Sequence, residues 1–184
     1  MTRSKLTRIL AVTLTLAAAV AAAEPFSTAA RERLVREIRR ELVQLPFYGV
    51  FDNLMFRVDG SVVTLMGEVT RPTIRDDAER LMKRIEGVET VVNHIEVLPL
   101  SPQDERIRLA AFRAIYSQNV LSRYALEAVP PIHIIVRNGR ITLEGAVASE
   151  AERNLASIAA NGVTGVFLVA NNLQVAPEHS AARR

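Results

Sequence analysis

The sequence predicts an α+β chain built as two tandem copies of one helix, strand, strand, helix, strand unit, and three observations carry that prediction. Residues 59–69 (DGSVVTLMGEV) return as residues 138–147 (NGRITLEGAV). Each copy is followed by a charged helical stretch that ends in a Gly-Val pair, Gly87 with Val88 and Gly162 with Val163. The closing runs then share an Asn, Asn93 or Asn171, and a final Val. A period of about 75–80 residues is too long for a solenoid unit and fits a duplicated small domain.

The first copy begins with a helix that Thr28 can cap and that runs to about Gln44. Leu34, Val35, Ile38, Leu42 and Leu45 share one side, while Arg33, Arg36, Glu37, Arg40 and Glu41 take the other. Pro46 stops it. An apolar stretch, FYGVFDNLMFRV, then reaches Asp59 and Gly60, a pair suited to a tight turn. Val63, Leu65 and Val69 alternate with Thr64, Met66 and Glu68 in a half-buried strand paired to the stretch before it. Pro72 and Thr73 open a second helix with Ala78, Leu81 and Ile85 on one face, and Gly87 is its expected C-terminal cap. Residues 91–97 form the third strand.

The second copy repeats this order. Ser101, Pro102 and Asp104 supply a cap, a first-turn proline and an acid for a helix to about Ser117. Ile132, Ile134 and Val136 alternate in a strand that Asn138 and Gly139 turn back into Ile141, Leu143 and Val147. Ser149 caps the next helix, Gly162 ends it, and residues 166–175 supply the last strand. Gly67 and Gly145 interrupt good strands, where glycine costs stability and marks a bulge or a close approach, most simply by a crossing helix.

Residues 1–23 are a different kind of polymer. Arg3, Lys5 and Arg8 precede an apolar run and three alanines ahead of Glu24, the layout of a secretory signal peptide and short for a membrane span. The expected division is therefore signal peptide 1–23, first domain 28–98, linker 99–102, second domain 103–176 and polar tail 177–184. The net charge of +3 comes from 23 basic and 20 acidic residues, and the signal's three basic residues account for all of it. The exported chain is then neutral, which removes the electrostatic support for nucleic-acid binding. With no cysteine its stability must come from packed cores, and a periplasmic location fits.

Catalytic chemistry finds little footing. His94, His133 and His179 are scattered, no metal-ligand spacing occurs, and no phosphate loop or nucleophile elbow is present. The helix of the second copy is the best place to look for binding. Ile107, Ala111, Ala114 and Ile115 make one apolar face, yet Leu109, Phe112 and Tyr116 form another, with Arg106, Arg108 and Arg113 beside it. A helix apolar on two sides must meet a second surface. That surface is the first repeat or its residues 48–51, an anionic lipid headgroup region, or another envelope protein.

The turn, the Val-Thr-Leu or Ile-Thr-Leu run, Gly67 or Gly145, the helix, the Gly-Val pair and Asn93 or Asn171 together resemble the BON domain family, named for bacterial osmotically induced and nodulation-related proteins. The resemblance implies two tandem αββαβ domains, each a small mixed three-stranded sheet covered by two helices. It also implies a non-enzymatic envelope protein without cofactor or metal, associated with phospholipid or membrane-interface binding, stress response and chaperone or adaptor roles. Candidate site residues are Arg108, Leu109, Phe112, Arg113 and Tyr116 for a lipid or interface site, with Gly60, Gly67, Gly87, Gly139, Gly145 and Gly162 as turn or cap positions. Two departures from the repeat stand out. The first turn carries an extra residue between Asp59 and Val63, and the second copy has a longer stretch from Gly162 to Asn171 with an added apolar run at residues 167–169.

Overall fold

The computed structural model describes residues 28–176, so the signal-peptide and tail assignments lie outside the described residues. The first copy comprises α1 (Thr28–Val43), β1 (Asn53–Asp59), β2 (Val62–Val69), α2 (Pro72–Met82) and β3 (Thr90–Val97). The second comprises α3 (Pro102–Tyr116), β4 (Ile132–Arg137), β5 (Arg140–Val147), α4 (Glu150–Asn161), β6 (Leu168–Asn171) and the short β7 (Gln174–Val175). In each copy the middle strand pairs antiparallel with the strand before it and parallel with the strand after the helix, giving sheets β1-β2-β3 and β4-β5-β6. The last strand of the second sheet is broken at Asn172 and Leu173, and β7 resumes pairing with β5.

Period-two and period-four spacings build two separate cores. Leu34, Ile38 and Leu42 of α1 and Ile74, Ala78 and Met82 of α2 close over Val63, Leu65 and Val69. Ile107, Ala111 and Ile115 of α3 and Ala156 and Ala160 of α4 close over Ile134, Ile141 and Leu143. Leu65 and Leu143 are both buried and pair with Asn93 and Asn171 respectively, so they occupy one position of the repeat. Each Asn ties its strand to a helix. The Asn93 amide donates to the carbonyl of Arg75 and its oxygen accepts from Ile95 N, as Asn171 does with Arg153 and Leu173.

The register removes both departures that the sequence suggested. Val58 pairs with Val63 and Val136 with Ile141, so the two hairpin turns have equal length. The first turn is Gly60 and Ser61, with φ positive only at Gly60, whereas the second is Asn138 and Gly139, positive at both (52° and 74°). The glycines are therefore one place out of step, and matching them created the extra residue. Similarly, Gly87 and Val88 correspond to Gly165 and Val166. Val88 N donates to Ile85 O and Val166 N to Val163 O, and the next residues, Glu89 and Phe167, donate to Ser61 O and Gly139 O. From Gly165 to Asn171 the chain is no longer than from Gly87 to Asn93, and residues 167–169 replace residues 89–91.

Other local expectations shift as well. Helix α2 begins after Arg71, without a side-chain cap from Thr73, and ends at a Lys83 cap, leaving Gly87 (φ 92°) in the following turn. Residues 47–52 form turns ahead of β1 instead of extending it. At Gly67 and Gly145 the ladder runs through without a bulge, and the close neighbour is the paired strand. A Cβ there would lie 2.0 Å from Asn53 O or 1.9 Å from Pro131 O, with φ of 117° and 112°. The crossing-helix explanation is replaced by this backbone contact.

Candidate functional site

The segment between α1 and β1 joins the two copies. Pro46 ends the helical region, Phe47 takes a left-handed φ of 68°, and residues 48–51 lead onto the second copy. Asp52 holds the segment in place. Its buried carboxylate accepts from Gly49 N at 3.0 Å, Thr70 N at 2.6 Å and the Thr70 hydroxyl at 2.8 Å. With the segment fixed, Val50 O accepts from Ile134 N at 2.7 Å, a main-chain bond across the outer edge of β4. Val50 and Phe51 pack on the second core, and Phe51 meets Phe112 edge-on with ring centroids 6.2 Å apart.

Strand β4 is buried on both faces for the same reason. Ile132, Ile134 and Val136 face its own helices, while Ile135, on the side of His133 and Arg137, is also only 2% exposed. Both of those neighbours reach the first copy. The His133 ring lies 5.7 Å from Tyr48, and Arg137 pairs with Glu68 and Glu96 at 2.7 Å each. The helix-free faces of the two sheets meet here. Burial pushes the Tyr48 hydroxyl up to about 12 and holds the His133 imidazole below its ordinary range.

The second stripe of α3 is divided by this arrangement. Tyr116 is buried, its hydroxyl donating to Ile132 O at 2.8 Å and its ionisation pushed up by burial. Arg108 is buried too, donating to Val136 O and to Glu105, both at 3.0 Å. Phe112 is half-buried between Phe51 and Tyr116. Leu109, 41% exposed, and Arg113 remain open to solvent. A residue that the stripe pattern overlooked sits one turn earlier. The buried Asp104 carboxylate accepts from Asn138 N and Gly139 N at 2.9 and 2.8 Å, clamping the β4–β5 turn. Its signal was an acid at the helix start, which alone reads as a dipole partner.

Beside the seam lies a cleft of about 630 Å³, lined by Phe51, Thr70, Arg71, Leu98, Leu100 and Arg108 among others. Exposed apolar side chains line it or touch its lining. Leu100 is 98% exposed, and Phe47, 67% exposed, carries the Arg71 guanidinium over its ring at 4.7 Å. Among the described residues no helix is long and apolar enough to cross a membrane.

A family model for the BON domain matches residues 30–99 and 116–177. The second match starts where α3 ends, so the place of α3 rests on its packing. No curated protein matches the chain. A solved structure of CdsD, a structural protein of the type III secretion system of Chlamydia trachomatis, is 11% identical over 81% of this chain and 95% of that one, with a TM-score of 0.32. A structure of the C-terminal domain of CdsD is 14% identical over 78% of this chain and 98% of that one, with a TM-score of 0.28. At those scores neither likeness bears on function. The two family matches span most of the chain in tandem, and the chain belongs to the BON domain family, in general non-enzymatic binding modules of the periplasm or envelope.

Proposed function

We propose that this chain is an exported, periplasmic binding module that docks on anionic phospholipid and supports envelope integrity or stress response. The observation that carries the reading is the pairing of exposed apolar side chains with arginines at the domain junction: Leu100 and Phe47 with Arg71, and Leu109 with Arg113 one turn along α3. Apolar groups of this kind enter the headgroup boundary while guanidinium forks meet phosphate oxygens. Of the α3 stripe, Leu109 and Arg113 serve the membrane, whereas Arg108 and Tyr116 are tied to β4 and Phe112 meets Phe51 at the seam.

Co-sedimentation of the purified chain with vesicles, across a phosphatidylglycerol series and a salt series, tests this. Binding should rise with anionic lipid and weaken as the screening length falls from about 10 Å at 0.1 M salt to about 3 Å at 1 M. Leu100→Asp and Arg113→Ala should each reduce it without changing the melting temperature. Equal binding to neutral vesicles, or unchanged binding in both variants, would remove the membrane site.

A further inference from the structure

The two copies present the same strand edge, and only one of those edges is occupied. Core positions set the equivalence: Leu34, Ile38 and Leu42 of α1 answer to Ile107, Ala111 and Ile115 of α3. Phe56 answers to Ile134, since they pair with Leu65 and Leu143. In the second copy each outward-facing residue of the edge strand has one main-chain group engaged by a group from outside the sheet. Ile132 O accepts from Tyr116, Ile134 N donates to Val50 O, and Val136 O accepts from Arg108. In the first copy Tyr48 lies beside Leu54 at this edge, both lining one groove. Phe56 and Val58, which face outward by the same alternation, have no such partner among the described residues.

The helix substitutions create a space where the second copy is filled. Arg108, Phe112 and Tyr116 of α3 correspond to Val35, Arg39 and Val43 of α1, and Asp104 corresponds to Arg31. These residues, with β1 from Leu54 to Val58, line an open groove of about 450 Å³. Its walls are apolar at Val35, Leu42, Val43 and Phe56. Arg31, Arg39 and Arg57 stand around it, exposed and without an ion-pair partner among the described residues.

We propose that this groove takes an extended acidic peptide segment of a partner protein, added alongside β1 as a fourth strand. The second copy shows the mode within the same molecule, because Val50 and Phe51 supply it with a main-chain bond and an aromatic anchor at the corresponding edge. Open strand edges are templates for such addition, main-chain bonds giving affinity and side-chain pockets giving specificity. The three unpaired arginines select carboxylates on the incoming segment. The site lies on α1 and β1, apart from the junction cleft assigned to the membrane.

The test uses the isotope-labelled chain and a synthetic octapeptide of alternating Val and Phe flanked by Asp and Glu, with a Lys-flanked twin. Titration should shift the amide signals of Phe56 and Val58 and slow their hydrogen exchange. The Lys-flanked twin should bind about tenfold more weakly or worse, and Arg39→Glu with Arg57→Glu should weaken the acidic peptide by a similar factor. Both arginines are exposed, so a melting temperature within error of the parent shows the variant is folded. Equal binding of the two peptides, or shifts confined to the second copy, would overturn the proposal. So would perturbation of the groove by phosphatidylglycerol vesicles but not by peptide. Protection of Phe56 that grows with protein concentration alone would assign the groove to a second copy of the chain and equally overturn it.

Discussion

The first and second copies share a fold, a central leucine and a bridging asparagine, yet they finish their edge strands in opposite ways. In the second copy Asp104 clamps the hairpin turn, Arg108 and Tyr116 satisfy carbonyls of β4, and the first copy lays Val50 across the Ile134 amide. In the first copy the corresponding helix positions are Arg31, Val35 and Val43, and the edge stays open. Duplication therefore preserved the layer that faces the core and diversified the layer beside it. One edge forms an internal joint, and the other lines a basic groove.

The strongest way to break this equivalence is in the cores. Leu65→Ala and Leu143→Ala should each cost about 2–5 kcal/mol, because both leucines are closed off from solvent. Denaturant titration with probes in each domain measures this, and a near-neutral result in either copy would separate the two positions. Asp104→Ala comes next. It strips two turn amides of their acceptor and should cost about 1–3 kcal/mol, whereas Arg31→Ala at the matching position should stay within about 0.5 kcal/mol. Equal costs would mean the clamp contributes nothing specific to the second copy.

Smaller effects sharpen the seam. Phe51→Ala removes the ring against Phe112 and should cost about 1–2 kcal/mol, read as a lower melting temperature and faster exchange at Ile134. The pH dependence is weaker still. His133 is held below its ordinary range by burial, with Asp52 and Glu144 opposing that shift. The unfolded chain therefore takes up the proton first as pH falls below about 6.5, and stability declines from there toward the folded-state value. His133→Gln should flatten that slope in melts between pH 7 and pH 5.

The repeat made the element order legible, because alternation in residues 62–69 and 140–147 and helical spacing in α1 and α2 are local signals. Register was harder. The second copy contains Gly-Val twice in succession, at Gly162 and at Gly165, and only the hydrogen bonds to Ser61 and Gly139 distinguish which pair is equivalent to Gly87. Gly67 and Gly145 announced themselves as costly residues in strands, but the neighbour that requires them lies on the paired strand. The candidate site was legible only as a helix with two apolar sides. Arg108 reads as a solvated flank until Val136 O is placed within its reach, and Val50 reads as strand until the joint with Ile134 exists. Segment 118–129 gave no periodic signal. Its short 3-10 helix, Ser122–Leu126, brings Arg123 and Tyr124 to Glu152, which also accepts from Ala148 N ahead of α4.

Amide hydrogen exchange in the free, full-length chain tests the contrast between the two edges most directly. Ile134, bonded to Val50, should exchange with the protection of the second core, while Phe56 should exchange orders of magnitude faster despite occupying the equivalent position. Equal protection at Phe56 and Ile134 in a dilute, ligand-free sample would mean that the first edge is already closed, and the account of one used edge and one open edge would not stand.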